Sequence, residues 1–204
     1  MRINKKKFIY LISPNKIYPE FYHDLNQVLR TGKVALFQLR LKKYSLKQKI
    51  VIGKKIKKIC KKNNVKLLIN DDPFLTKKLN ADGCHLGQKD TDIIKARKVL
   101  GNKIIGITCH NSIKLAKSAI KNKANYLAFG AFFLTKTKRT RHKATTKILN
   151  KAKKLTKTPL VAIGGINYSN YKKLLLNKAD FLAISGYIWN NKKLKPLETV
   201  EKLK

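Results

Sequence analysis

Five of the ten acidic residues of this 204-residue chain fall in one short stretch, "INDDPFLTKKLNADGCHLGQKDTD", residues 69–92. All are aspartates: Asp71, Asp72, Asp82, Asp90 and Asp92. The rest of the chain is dominated by lysine, and the formal net charge is +38. Carboxylates kept together against that background have two chemical uses. A pair can act as acid and base, or it can hold a hard cation. Mg2+ suits a small carboxylate set, because it keeps several waters and takes further oxygens from substrate phosphates. Groups that bind phosphates are also present. Arg40 and Lys42 stand in "FQLRLK", and "LTKTK" (134–138) offers two hydroxyls and two ammoniums. "IGGI" (163–166) and "ISG" (184–186) bring glycine, which lets main-chain N–H groups approach an anion. An acid–base pair alone needs no such collection. The residues read as two phosphate sites and one Mg2+, with Asp71 and Asp90 as metal ligands.

Such a site needs elements that bring these residues together. Short apolar runs at 7–13, 34–40, 65–70, 83–87, 103–109, 126–130, 159–165 and 181–185 read as strands. Between them lie helix-like segments at about 20–31, 45–62, 72–80, 91–100, 112–122, 144–156, 168–177 and 195–203. Leu46, Ile50, Ile56 and Ile59 fall near one face of the second segment, and Ser45, Ser112 and Asn167 are expected N-caps. Asp72 also suits a helix start, and Asp82 a loop. The strands are apolar throughout, as parallel strands covered on both faces are. Eight such units predict an α/β fold, a (β/α)8 TIM barrel spanning residues 1–204 as one domain. A doubly wound open sheet is the alternative. The barrel is favoured by the strand count and by the polar residues at strand ends, where barrels keep their chemistry. Asp71 and Asp90 end neighbouring strands and so can face one pocket.

Composition narrows the function. At 43% hydrophobic the chain can build a core. Its apolar start stops at Pro14, too early for a signal segment, and "YLAFGAFFL" is far below the ~20 residues of a membrane span. A cytoplasmic protein without a membrane partner is expected. Cys60, Cys84 and Cys109 form no CxxC pair and suit a reducing compartment, and Cys84-His85 and Cys109-His110 lack zinc spacing. The lysines are spread over almost every segment, whereas nucleic-acid readers rely on arginine forks and clustered patches. Small phosphorylated molecules, not a specific nucleic acid, are the expected partners.

The ordered motifs "FQLRLK", "LLINDD", "ADGCHLGQKD", "IIGITCHN", "YLAFGAFFLTKTK", "VAIGGI" and "FLAISG" resemble the thiamine-phosphate synthase/TenI superfamily over nearly the whole chain. The resemblance implies a barrel that couples hydroxymethylpyrimidine diphosphate to a thiazole phosphate, giving thiamine phosphate and pyrophosphate. It further implies that Gln38, Arg40, Lys42, Asn70, Thr108 and Lys138 hold the pyrimidine diphosphate, with Arg40, Lys42 and Lys138 catalytic. Asp71 and Asp90 would bind Mg2+. Thr135, Lys136, Thr137, Gly165, Ile184 and Ser185 would line the thiazole phosphate site. The implied reaction is dissociative, with pyrophosphate leaving before the thiazole nitrogen attacks.

Some positions depart from that pattern. Thr108 stands where serine is usual, "GAFFLT" replaces "GPxFPT", and "RTRHKATTK" after Lys138 lacks an expected glycine. "ISGYI" carries the Ser-Gly pair of TenI-like thiazole tautomerases, in which a histidine placed like His110 serves catalysis. The Asp pair favours the synthase. A TenI-like tautomerase or a degenerate phosphate-binding barrel is the alternative, with a basic nucleic-acid-binding protein a distant third.

Overall fold

The computed structural model describes residues 7–135 and 142–203. The elements run β1 (Ile9–Ile12), α1 (Phe21–Arg30), β2 (Val34–Leu39), α2 (Leu46–Lys62), β3 (Lys66–Asn70), α3 (Pro73–Lys78) and β4 (Gly83–Leu86). They continue with α4 (Ile93–Leu100), β5 (Ile104–His110), α5 (Ile113–Lys121), β6 (Tyr126–Gly130), α6 (Thr146–Leu155) and β7 (Leu160–Ile163). The chain closes with α7 (Tyr171–Leu176), β8 (Phe181–Ile184), α8 (Gly186–Trp189) and α9 (Pro196–Glu201). The strands pair in parallel in chain order, and β8 returns to β1, closing a (β/α)8 barrel. No helix among the described residues is long and apolar enough to cross a membrane.

Alternation along each strand splits the core in two. Phe37, Leu67, Cys84, Ile105, Leu127 and their neighbours face the helices. Tyr10, Leu36, Leu68, Tyr126, Val161 and Phe181 fill the barrel interior. Period-2 alternation requires this when both faces of a strand are covered. Ser45 and Ser112 cap α2 and α5 as expected, each accepting a main-chain N–H three residues on. Two local expectations need correction. Asn167 does not start a helix: its Oδ1 accepts from Ser169 N in a turn, and α7 begins only at Tyr171. Leu46 is 54% exposed, while Ile50 and Ile59 pack against the core beside the buried Gly53, Ile56 and Cys60.

Three of the clustered aspartates hold the scaffold. Asp72 and Asp92 cap α3 and α4 through Leu75 N and Ile94 N. Asp82, just before β4, accepts from Leu67 N at 2.9 Å and pairs with Lys66. The same tie recurs twice at the opposite end from the polar rim. Asn125 accepts from Ile105 N at 2.8 Å, and Asp180 accepts from Leu160 N at 2.8 Å. Each residue that enters an even strand thereby satisfies an N–H near the start of the strand before it.

Gly106 makes room for the interior. A Cβ there would lie 1.8 Å from Cζ of the Tyr126 ring, which packs across the glycine. Because Tyr126 is fully buried, it has nowhere to retreat. Gly106→Ala is expected to lower stability by about 3 kcal/mol through overpacking. A urea unfolding midpoint equal to that of the wild type would show that the ring can move.

Candidate active site

The carboxylate pair sits at the C-terminal ends of β3 and β4. Asp71 has a left-handed backbone, φ 64°, one residue after β3. Its N–H donates to His85 O at 2.8 Å, which ties the strand end to β4. Its Oδ2 lies 3.3 Å from Lys42 Nζ. Asp90 Oδ2 accepts from Gly87 N at 2.7 Å across a tight turn. The Asp90 carboxyl is pushed above its ordinary value, first by burial and then by its hydrogen bond to the Asp71 side chain. The charge of Asp71 adds to the rise, while the Gly87 N–H and Lys42 act against it. Two carboxyl groups this close need a shared proton or a cation between them. Among the described residues no group of three or more His, Cys, Asp or Glu side chains converges on one point. Asp71 and Asp90 are the carboxylates placed to hold a cation here, with room for oxygens from water and a ligand to complete its shell. That donor set fits Mg2+.

The cationic side is built from β2. Its inward-facing residues, Leu36 and Gln38, lead to Arg40 just past the strand end. The Arg40 N–H donates to Ser13 Oγ at 2.9 Å, and its guanidinium donates to Asn15 Oδ1 at 3.1 Å. Ser185 Oγ donates to Ser13 O at 3.2 Å, so the end of β1 anchors both Arg40 and Ser185. Asn70 ends β3 and, with the helix-facing Leu39 and Ile69 and with Lys42, Lys49 and Asp71, lines a cavity of about 370 Å3 beside α3.

The loops after β6 and β7 run side by side. Phe133 N donates to Gly164 O at 3.1 Å. Gly165 is left-handed, φ 63°, and a Cβ there would lie 2.2 Å from Leu134 O, so only glycine allows this approach. The contact brings Phe133 and Leu134 beside Gly165. Lys136, Thr137 and Lys138 lie outside the described residues. Ile184 points into the helix-facing core, 2% exposed, and can offer a ligand only main-chain groups. Ser185 faces inward and precedes α8, a short helix the sequence reading did not expect.

Thr108 and His110 end β5. His110 is left-handed, φ 51°, and its ring lies 4.1 Å from that of His142. Thr108 Oγ1 lies 2.9 Å from His85 Nε2. His85 begins a buried chain that sequence reasoning missed. Its Nδ1 is 2.8 Å from Tyr126 OH, which is 2.8 Å from Tyr10 OH, and Gln38 Nε2 donates to Tyr10 OH at 2.5 Å. Burial pushes the hydroxyls of both tyrosines above their ordinary value, so both keep their protons. A tyrosine at an inward position of β1 and another on β6 were the available signals. Cys84 and Cys109 face the helices, and burial pushes their thiols up to about 12, which fits small apolar residues.

Three comparisons bear on this rim. A thiamine-phosphate synthase from Pelagibacter ubique is 68% identical over 208 residues, covering 100% of both chains. One from Erythrobacter litoralis is 39% identical over 187 residues, covering 89% of this chain and 88% of its own. The solved thiamine phosphate pyrophosphorylase of Pyrococcus furiosus superposes with a TM-score of 0.85 at 28% identity, covering 98% of this chain and 94% of that one. The family model described as thiamine monophosphate synthase matches residues 9–188, from the first strand to the short helix after the last. By that match and by these relatives, this chain, a closed barrel with paired carboxylates at one rim, belongs to the thiamine monophosphate synthase family.

Proposed function

We infer that this barrel couples a hydroxymethylpyrimidine diphosphate to a thiazole phosphate, giving thiamine phosphate and pyrophosphate. The observation that carries the reading is the Asp71–Asp90 pair with Lys42 beside it. Such a pair suits a dication on a departing diphosphate. In the reaction the pyrimidine methylene C–O bond breaks and its electron pair leaves with pyrophosphate. The thiazole nitrogen lone pair then forms the new C–N bond. No proton has to leave either substrate in that step, so no general base is needed.

The chain's work is to hold charge and exclude water. Arg40, Lys42 and Lys138 would meet the diphosphate, and their attraction grows as negative charge collects on the leaving group. Gln38, Asn70 and Thr108 would hold the rest of the pyrimidine diphosphate. Thr135, Lys136, Thr137, Gly165, Ser185 and the main chain of Ile184 would fix the thiazole phosphate. Bound at Asp71 and Asp90, Mg2+ would supply charge neutralisation at the diphosphate. We take residues 1–204 as one functional unit, and three buried free cysteines suit a cytoplasmic setting.

Purified protein, Mg2+ and both substrates should yield thiamine phosphate and pyrophosphate in equal amounts. Absence of both products with folded protein would overturn the reading. The net charge of +38 has a separate consequence. DNA and RNA should bind only through ammonium–phosphate contacts, and binding should fall steeply between about 50 and 200 mM salt. Tight, sequence-selective binding at physiological salt would instead make nucleic acid a true partner.

A further inference from the structure

The turn that carries Asp90 also reaches across to β5. Regular pairing of β4 with β5 ends at Leu86 and Ile107. Just beyond that pair the Gln88 side chain takes over, and its Nε2 donates to Thr108 O. On the other side β5 shifts against β6 between Thr108 and His110, where His110 turns left-handed at φ 51°. The Thr108 carbonyl therefore lies where strand pairing ends on one side and slips on the other. His85, on β4 itself, meets the Thr108 hydroxyl at 2.9 Å. One segment, His85 to Gln88, thus grips both oxygens of Thr108.

The same segment runs into a carboxylate of the pair. Gln88 stands inside the turn from Gly87 to Asp90, which Asp90 closes twice. Its Oδ2 accepts from Gly87 N at 2.7 Å, and its N–H donates to Gly87 O at 3.4 Å. Gln88 is exposed, so water competes for its bond to Thr108. A bond of that kind holds only weakly unless the backbone beneath it is fixed. A cation on Asp90 fixes the carboxylate, the carboxylate fixes the turn, and the turn sets where the Gln88 side chain starts.

We propose that Gln88 is a positioning residue that links the cation at Asp90 to the pyrimidine contact at Thr108, so that Mg2+ and the pyrimidine ring each bind more tightly when the other is present. This rests on the reading above, in which Asp90 ligates the metal and Thr108 meets the pyrimidine. In the substrate, part of the mutual effect is direct, because the diphosphate reaches the metal. The part carried by Gln88 acts on the ring alone. It is reciprocal, since both ligands draw on one free-energy difference between the turn held and the turn loose. The ring is then held most firmly once the charge that neutralises its leaving group is in place.

The probe is 4-amino-2,5-dimethylpyrimidine, which has neither a diphosphate nor a hydroxyl to offer the metal. In calorimetry, saturating Mg2+ should tighten its binding to the wild type by about 5-fold or more. Gln88→Met keeps the length of the side chain and removes its N–H. The gain there should fall below about 2-fold, with Mg2+ itself still bound. Gln88→Lys keeps an N–H donor on a long unbranched chain and should retain the gain. Because position 88 is exposed, neither exchange disturbs the core. With the full substrates, Gln88→Met should raise KM for the pyrimidine diphosphate and leave that for the thiazole phosphate unchanged, whereas a general loosening would move both. Wild-type ring binding that ignores Mg2+, no ring binding at all, a full gain in Gln88→Met, or its loss in Gln88→Lys as well would overturn the linkage while leaving the coupling activity standing. A wild type that forms no thiamine phosphate would instead overturn the reading beneath it.

Discussion

Asp71→Asn and Asp90→Asn are each expected to lower the coupling rate by about 100-fold or more, with the fold intact. Each exchange removes one negative charge from a two-carboxylate site, and among the described residues no third carboxylate joins it. Mg2+ affinity then falls with no residue placed to compensate. The leaving diphosphate loses its neutralising partner when its charge is greatest, and contacts of that kind are worth several kcal/mol. The backbone gives no reason for collapse. Asn tolerates the left-handed conformation that Asp71 adopts at φ 64°. At position 90 an amide oxygen can still accept from Gly87 N, as Asp90 does now. Excess chelator should abolish turnover of the wild type, and Mg2+ should restore it. Full activity in either variant, or in chelator, would remove the metal from the mechanism.

The second large effect separates a synthase from a tautomerase. Lys138 ends "TKTK", and in the function proposed above it would meet the departing pyrophosphate. A charge-assisted contact made mainly in the transition state is worth about 2–4 kcal/mol, or roughly 30- to 1,000-fold in rate. Lys138→Ala should therefore slow pyrophosphate release by that factor and weaken thiazole phosphate binding much less. His110 has no proton to move in the coupling. Its ring lies against His142, and His110→Ala should cost the synthase comparatively little. A tautomerase reverses the order, because proton transfer at the thiazole would make His110 worth about 100-fold or more. Both variants are to be measured for pyrophosphate release and for thiazole isomerisation. Loss of activity in His110→Ala with Lys138→Ala near wild type would place the chain in the tautomerase branch.

The sequence by itself determined the barrel. Eight apolar strands alternating with amphipathic helices have few ways to cover both faces of every strand, and closure also removes the exposed edges. It also determined which residues reach the rim, because the inward or outward direction of a strand residue follows from parity alone. Gln38, Asn70, Thr108 and Ser185 were legible as strand-end residues and through the family resemblance, and Ser45 and Ser112 as caps because capping is local. Tertiary structure decided where several local signals gave way. Asn167 caps a turn and not α7, and Leu46 stays exposed at the start of α2. The division of labour among the aspartates was only half visible. Residue type marks Asp72 as a cap, but only strand pairing shows Asp82 tying β3 to β4. The buried chain was beyond reach from sequence. Parity turns Tyr10, His85 and Tyr126 inward, but which side chains meet depends on how the strands are staggered around the closed barrel. Tyr10 and Tyr126 are 116 residues apart in the chain, and only that stagger puts their hydroxyls 2.8 Å from each other.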